Sequence, residues 1–223
     1  MIHPRESFDR HLHELQDEVL VLGSMVEKAI TRSVEALKRR DLELAERVVA
    51  EDAKINQKRF DIEEMCVELI VTQQPMAGDL RVIIAVLNII VDLERIGDHA
   101  EGIAKIALMI GDEPPLKPLV DLPRMAEKTE NMLRRSLDAF VRRDDAAARQ
   151  ICKEDDQVDE LYDQVFRELI TFMLEDPRTI TRATRLIWVA HNLERSADRV
   201  TNICERVVFV VTGTMEEIDV SKY

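Results

Sequence analysis

Apolar residues recur along this chain at alternating three- and four-residue spacing, over stretches far longer than a β-strand. Val82, Val86, Ile89, Leu93, Ile96, Ala100, Ile103, Ala107 and Ile110 form one such stripe, and Leu186, Val189, Leu193, Val200, Ile203 and Val207 form another. That period is the core-facing stripe of an amphipathic helix. No strand-like alternation interrupts it. Turn signals divide the pattern into six predicted helices, near 6–39, 42–73, 79–111, 121–142, 144–174 and 178–212. Arg39-Arg40-Asp41 and Arg142-Arg143-Asp144 read as helix junctions. The cations favour the end of one helix, and Asp41 or Asp144 can cap the start of the next.

The two halves of the chain resemble each other. Ser33-Val34-Glu35-Ala36-Leu37 pairs with Ser136-Leu137-Asp138-Ala139-Phe140 at an offset of 103. Beyond the turns at Gln73–Asp79 and Glu175–Arg178 the offset becomes 100, because the second turn is shorter. There Asp92-Leu93-Glu94-Arg95-Ile96-Gly97-Asp98 answers Asn192-Leu193-Glu194-Arg195-Ser196-Ala197-Asp198. A polar match inside apolar helical sequence is not something core packing demands. The chain therefore reads as all-α, a tandem repeat of two antiparallel three-helix bundles. The first repeat spans 1–112, a proline-bearing linker 113–120, the second repeat 121–212 and a tail 213–223.

Composition narrows the function. A net charge of −13 disfavours nucleic acid, whose phosphates need Lys and Arg to neutralise them. The longest uncharged apolar run, Val82 to Val91, is about half a membrane span. Residues 1–6 carry no apolar segment of the secretory type, so an intracellular protein is expected. Cys66, Cys152 and Cys204 form no CxxC pair and read as buried, reduced thiols.

Candidate chemistry lies in the carboxylates. On a helical wheel Glu94 falls about 100° and Asp98 about 140° from Leu93, so both flank the core stripe on one face. Asp52 and Asn56 share the flank of the preceding helix, as do Asp155 and Asp159 in the second half. Counted from the turn between the two helices, Asp52 stands level with Asp98 and Asn56 with Glu94. In the second half Asp155 stands level with Asp198 and Asp159 with Glu194. Each half is thus expected to gather four oxygen-bearing side chains across one groove. Such clusters suit hard cations or first-row metals: iron, manganese or magnesium, with zinc also possible. The same spacing fits a solvated face on which Arg95 and Arg195 pair with the acids. Glu101 could extend the first cluster, and His191 stands three residues before Glu194. His3, His11, His13 and His99 read as surface groups. The Glu-x-x-His pattern of a di-iron carboxylate enzyme is missing, since Gly97 and Ala197 follow Glu94 and Glu194 by three. This disfavours the other reading, a metal-storage or redox carboxylate bundle.

These marks together resemble the PhoU family. They are Asp52-x-x-Ile55-Asn56, Gln74-Pro75 before Asp79-Leu80-Arg81, and Leu93-Glu94-Arg95-Ile96-Gly97-Asp98-His99. In the second half they are Asp155-Asp156-x-Val158-Asp159 and Asn192-Leu193-Glu194-Arg195-x-x-Asp198. The resemblance spans roughly residues 6–212. It implies a non-enzymatic, cytoplasmic, dimeric negative regulator of phosphate uptake and of the phosphate-starvation response. Such a protein is an adaptor between a phosphate-sensing histidine kinase and the ATPase subunit of a phosphate-specific ABC transporter. It further implies multinuclear iron or zinc sites on Asp52, Glu94, Asp98, Asp155, Asp159, Glu194 and Asp198. Asn56 departs from the acidic pattern, keeping an oxygen ligand but dropping a charge.

Overall fold

The structure is a computed structural model that describes residues 4–218, with side chains from residue 8. The ends of the first repeat and of the tail, residues 1–3 and 219–223, lie outside the described residues. Among the described residues seven α-helices follow in order: α1 (Pro4–Arg39), α2 (Leu42–Gln73), α3 (Ala77–Ile110), α4 (Asp121–Arg142), α5 (Asp145–Cys152), α6 (Asp156–Glu175) and α7 (Ile180–Thr212). A short 3-10 turn, Pro177–Thr179, leads into α7. Among the described residues there is no strand.

The two Arg-Arg-Asp junctions fold alike. Arg40 and Arg143 adopt left-handed backbone, with φ of 56° and 54°. The amides of Asp41 and Asp144 then reach back to the carbonyls of Ala36 and Ala139, both at 2.9 Å. These are the reverse-turn bonds that close a helix C-terminus. Each aspartate next caps the following helix, accepting from the amide of Leu44 or Ala147 at 2.9 Å. One tripeptide thereby ends one helix and starts the next in each repeat.

The fifth predicted helix, 144–174, is in fact two. Residues 153–155 leave the α-helical ladder, and the amides of Glu154, Asp155, Gln157 and Val158 bond to the carbonyl three residues earlier. This tightened turn separates α5 from α6. Arg135 of α4 grips Glu154 there with two hydrogen bonds, at 2.6 and 3.0 Å. The corresponding stretch of α2 is unbroken.

In each repeat the helices fold back on one another, α1–α2–α3 and α4 with α5/α6 and α7. The repeats also pack together, α3 against α7 and α1 against α4. Both seams are antiparallel. Thr31 and Glu27 of α1 meet Glu130 and Arg134 of α4, while the α3 residues Asp92 and His99 meet Asn202 and Asn192 of α7. One apolar core runs through both repeats. Every stripe residue read from the sequence is buried in it except Ile110, which is partly covered. Burial of each large aliphatic side chain contributes about 1.5–3 kcal/mol, which is what holds these helices in register. The three cysteines are buried and unpaired by disulfide. No helix is long and apolar enough to cross a membrane among the described residues.

Candidate functional site

In the first repeat the groove lies between α2 and α3. The α2 residues Asp52 and Asn56 sit one turn apart, and Asn56 Nδ2 donates to Asp52 Oδ2 at 2.8 Å. The other oxygen, Asp52 Oδ1, is buried and accepts no hydrogen bond. Burial raises the Asp52 pKa, and the negative charges of Glu101, Asp98 and Glu94 on α3 raise it further against the Asn56 hydrogen bond. Close approach of the helices depends on Gly97. A Cβ there would stand 3.1 Å from Ile55 Cγ2 and 3.7 Å from Asp52 Oδ1. Beside it a cleft of about 200 Å³ opens toward α1, bordered by Asp52, Glu101, Gly97, Lys28 and Arg32. Local cations hold the outer carboxylates: Arg95 donates to Asp98 at 3.0 Å and Lys105 lies 2.6 Å from Glu101.

In the second repeat Asp155 occupies the tightened turn before α6 and is buried, and its carbonyl accepts from the amide of Asp159 at 3.1 Å. Glu194 faces this region from α7. Its pKa is pushed up to about 7, first by burial and then by the charges of Asp198 and Asp159, against the opposing pull of Arg195. Glu194 Oε2 is buried without a hydrogen bond, and His191 Nδ1 stands 3.4 Å away. Arg195 donates to Asp198 at 2.8 Å, the counterpart of the Arg95–Asp98 pair.

Asp52 thus lies within electrostatic reach of Asp98, and Asp159 within reach of Glu194. These groups do not form closed ligand cages. Among the described residues, no three His, Cys, Asp or Glu side chains converge as a preformed metal site would. Several of the carboxylates turn instead to Asn56, Arg95 and Arg195. The donor chemistry still fits a hard or first-row cation. Asp52 Oδ1 in one repeat and Glu194 Oε2 in the other are buried without a hydrogen bond, and neighbouring acids help to raise the pKa of both groups. A cation bridging each group to its neighbours would offset that repulsion.

His99 is not a surface group. It is half-buried at the α3–α7 seam, with its Nδ1 3.2 Å from Asn192 Oδ1, and burial lowers its pKa. Its repeat counterpart is Arg199, which donates to the buried Asp92 at 3.3 Å while Asn202 donates to the same oxygen at 3.2 Å. Asp92 and Asn192 are themselves counterparts, so two related polar contacts lock the seam. Sequence reasoning assigned them no role. Their signal was a polar residue in each copy immediately before the stripe leucine.

The fold and site define a class: a duplicated, all-helical bundle with an acidic groove in each repeat. The PhoU domain model matches residues 19–107 and 122–207. A phosphate-specific transport system accessory protein PhoU homolog of Aquifex aeolicus is 43% identical over 83% of this chain and 84% of its own length. One from Clostridium acetobutylicum is 38% identical over 96% and 99%. The crystal structure of PhoU from Pseudomonas aeruginosa superposes with a TM-score of 0.88 at 38% identity, covering 93% of this chain and all of that one. The phosphate transport system regulatory protein PhoU from Streptococcus pneumoniae gives 0.87 at 34% identity, over 94% and 99%. The chain belongs to the PhoU family.

Proposed function

We propose that this protein is a regulatory accessory subunit of phosphate-specific transport, without catalytic activity of its own. It restrains phosphate uptake and the phosphate-starvation response by docking to the transporter's ATPase subunit and to a phosphate-sensing histidine kinase. The observation that carries the reading is the match of both repeats, over nearly the whole chain, to relatives named for that transport system. The fold supports it, being two helical bundles joined along antiparallel seams and offering long helical faces. A homodimer in the cytoplasm is the form we expect to act.

The acidic grooves supply the second part of the proposal. Asp52, Asn56, Glu94 and Asp98 in one repeat, and Asp155, Asp159, Glu194 and Asp198 in the other, hold multinuclear iron or zinc. Bound metal would supply positive charge that cross-links α2 to α3 and α6 to α7. Asn56, Arg95 and Arg195 engage Asp52, Asp98 and Asp198, each within a single helix, so a cation would add the link between helices. Deletion of the gene, read by a phosphate-responsive reporter, tests the regulatory role. Derepression at high phosphate is expected, and unchanged expression together with no capture of either partner would sink it. Elemental analysis of untagged protein prepared without chelator tests the ligand set. Bound metal lost in a Glu194→Ala/Asp198→Ala variant is expected, and metal retained there would overturn the assignment.

A further inference from the structure

The chain has few aromatic residues, yet four rings of aromatic or imidazole type line one face of the second repeat. Tyr162 and Phe166 are one turn apart on α6, with ring centroids 6.3 Å apart. Tyr162 meets His191 of α7 at 6.2 Å. Trp188 lies one turn before His191, and Phe166 and Trp188 each stand eleven residues from Pro177 in the connecting turn. Antiparallel helices rise equally per residue, so Phe166 and Trp188 are level across the groove. Burial does not explain these residues, for Phe166 is 41% and Trp188 50% exposed.

The duplication shows that the fold does not require them either. Their counterparts in the first repeat are Arg59, Glu63, Asn88 and Val91, none of them aromatic. The face is also acidic. Glu194 stands 3.4 Å from His191, and Glu194 and Asp163 both place negative charge near the Tyr162 ring. The nearby cation Arg195 is engaged by Asp198. Exposed rings beside carboxylates suit a cation that carries its own apolar stem.

We propose that the Tyr162–Phe166–Trp188–His191 face docks a basic peptide segment of a partner protein, seating an Arg or Lys side chain over the rings with its charge toward Asp163. The docking rests on rings and charges alone. It goes beyond the phosphate-transport reading and does not depend on it.

Trp188 is the chain's single tryptophan, so its emission reports this face directly. The probe is a decapeptide alternating leucine and arginine, titrated at physiological salt in the presence of chelator. Its control replaces each arginine by citrulline, which keeps the shape and removes the charge. A saturable change in Trp188 emission is expected with the arginine peptide, and binding at least about tenfold weaker with the citrulline peptide. Phe166→Ala should weaken the arginine peptide by about tenfold, whereas Phe60→Ala, at an exposed ring of the first repeat, should leave it unchanged. Absence of a saturable change overturns the proposal, as does equal binding of the citrulline peptide. Equal loss from Phe60→Ala makes the attraction a matter of net charge and overturns it too. Light scattering of wild type and a Trp188→Ala variant covers the remaining occupant: a dimer broken by that substitution assigns the face to a second copy of the chain. Circular dichroism of each variant confirms folding. Failure here leaves the reporter experiment untouched, so the two readings fall separately.

Discussion

Replacing Glu194 by glutamine should stabilise the metal-free protein at alkaline pH. The carboxyl is buried without a hydrogen bond at Oε2, faces Asp198 and Asp159, and has its pKa raised from 4.5 to about 7. Linkage fixes the sign. Between those two values the folded state holds the proton more firmly than the unfolded state, so stability falls as pH rises through the interval and stays low above it. The full shift corresponds to about 3 kcal/mol. The side chain remains 22% exposed, and solvent screening reduces the expected effect to about 1.5 kcal/mol. For a chain of this size that is about 3–6 °C in Tm. The assay is thermal or urea unfolding of wild type and Glu194→Gln in chelator, from pH 4.5 to 8. The variant should gain its advantage progressively, reaching the full amount at pH 8 and showing little at pH 4.5. A variant less stable than wild type at pH 8, or a difference that does not change with pH, would refute the reasoning. A bound cation should reverse the order, because wild type gains from it and the variant has one ligand fewer.

Substitutions at Asp92, Gly97 and the two capping aspartates test the scaffold. Asp92→Ala removes the acceptor for Arg199 and Asn202 at the α3–α7 seam and should cost about 2–4 kcal/mol in urea unfolding, whereas the shape-preserving Asp92→Asn should cost less. Gly97→Val drives side-chain atoms into Ile55 and should cost about 1–3 kcal/mol, measured the same way, whereas Ala197 in the second repeat already carries a Cβ. Asp41→Ala and Asp144→Ala each remove a helix cap and should each cost about 1 kcal/mol, adding in the double variant because the two junctions share no contact.

The linear pattern carried the elements. Stripes of period 3.6 placed the helices to within a few residues, and the Arg-Arg-Asp junctions and their caps were legible because capping is chemistry between near neighbours in sequence. Counting along two antiparallel helices set Asp52 against Asp98 and Asp159 against Glu194, since rise per residue is a constant of the helix. What depended on the third dimension was otherwise. The break at 153–155 was not legible: Arg135 grips Glu154 there, yet its counterpart Arg32 grips Glu51 in the first repeat, where α2 runs on unbroken. His99 became an interior group only because α7 lies across α3, and Asp92 found Arg199 and Asn202 for the same reason. The raised pKa of Glu194 comes first from burial, a property of the assembled bundle rather than of the residue. The sequence by itself determined that there are two copies of one helical unit, each bearing an acidic groove. Only the tertiary structure decided how the copies lock together and which carboxylates bear strain. Packing between distant helices has no period along the chain from which it could be read.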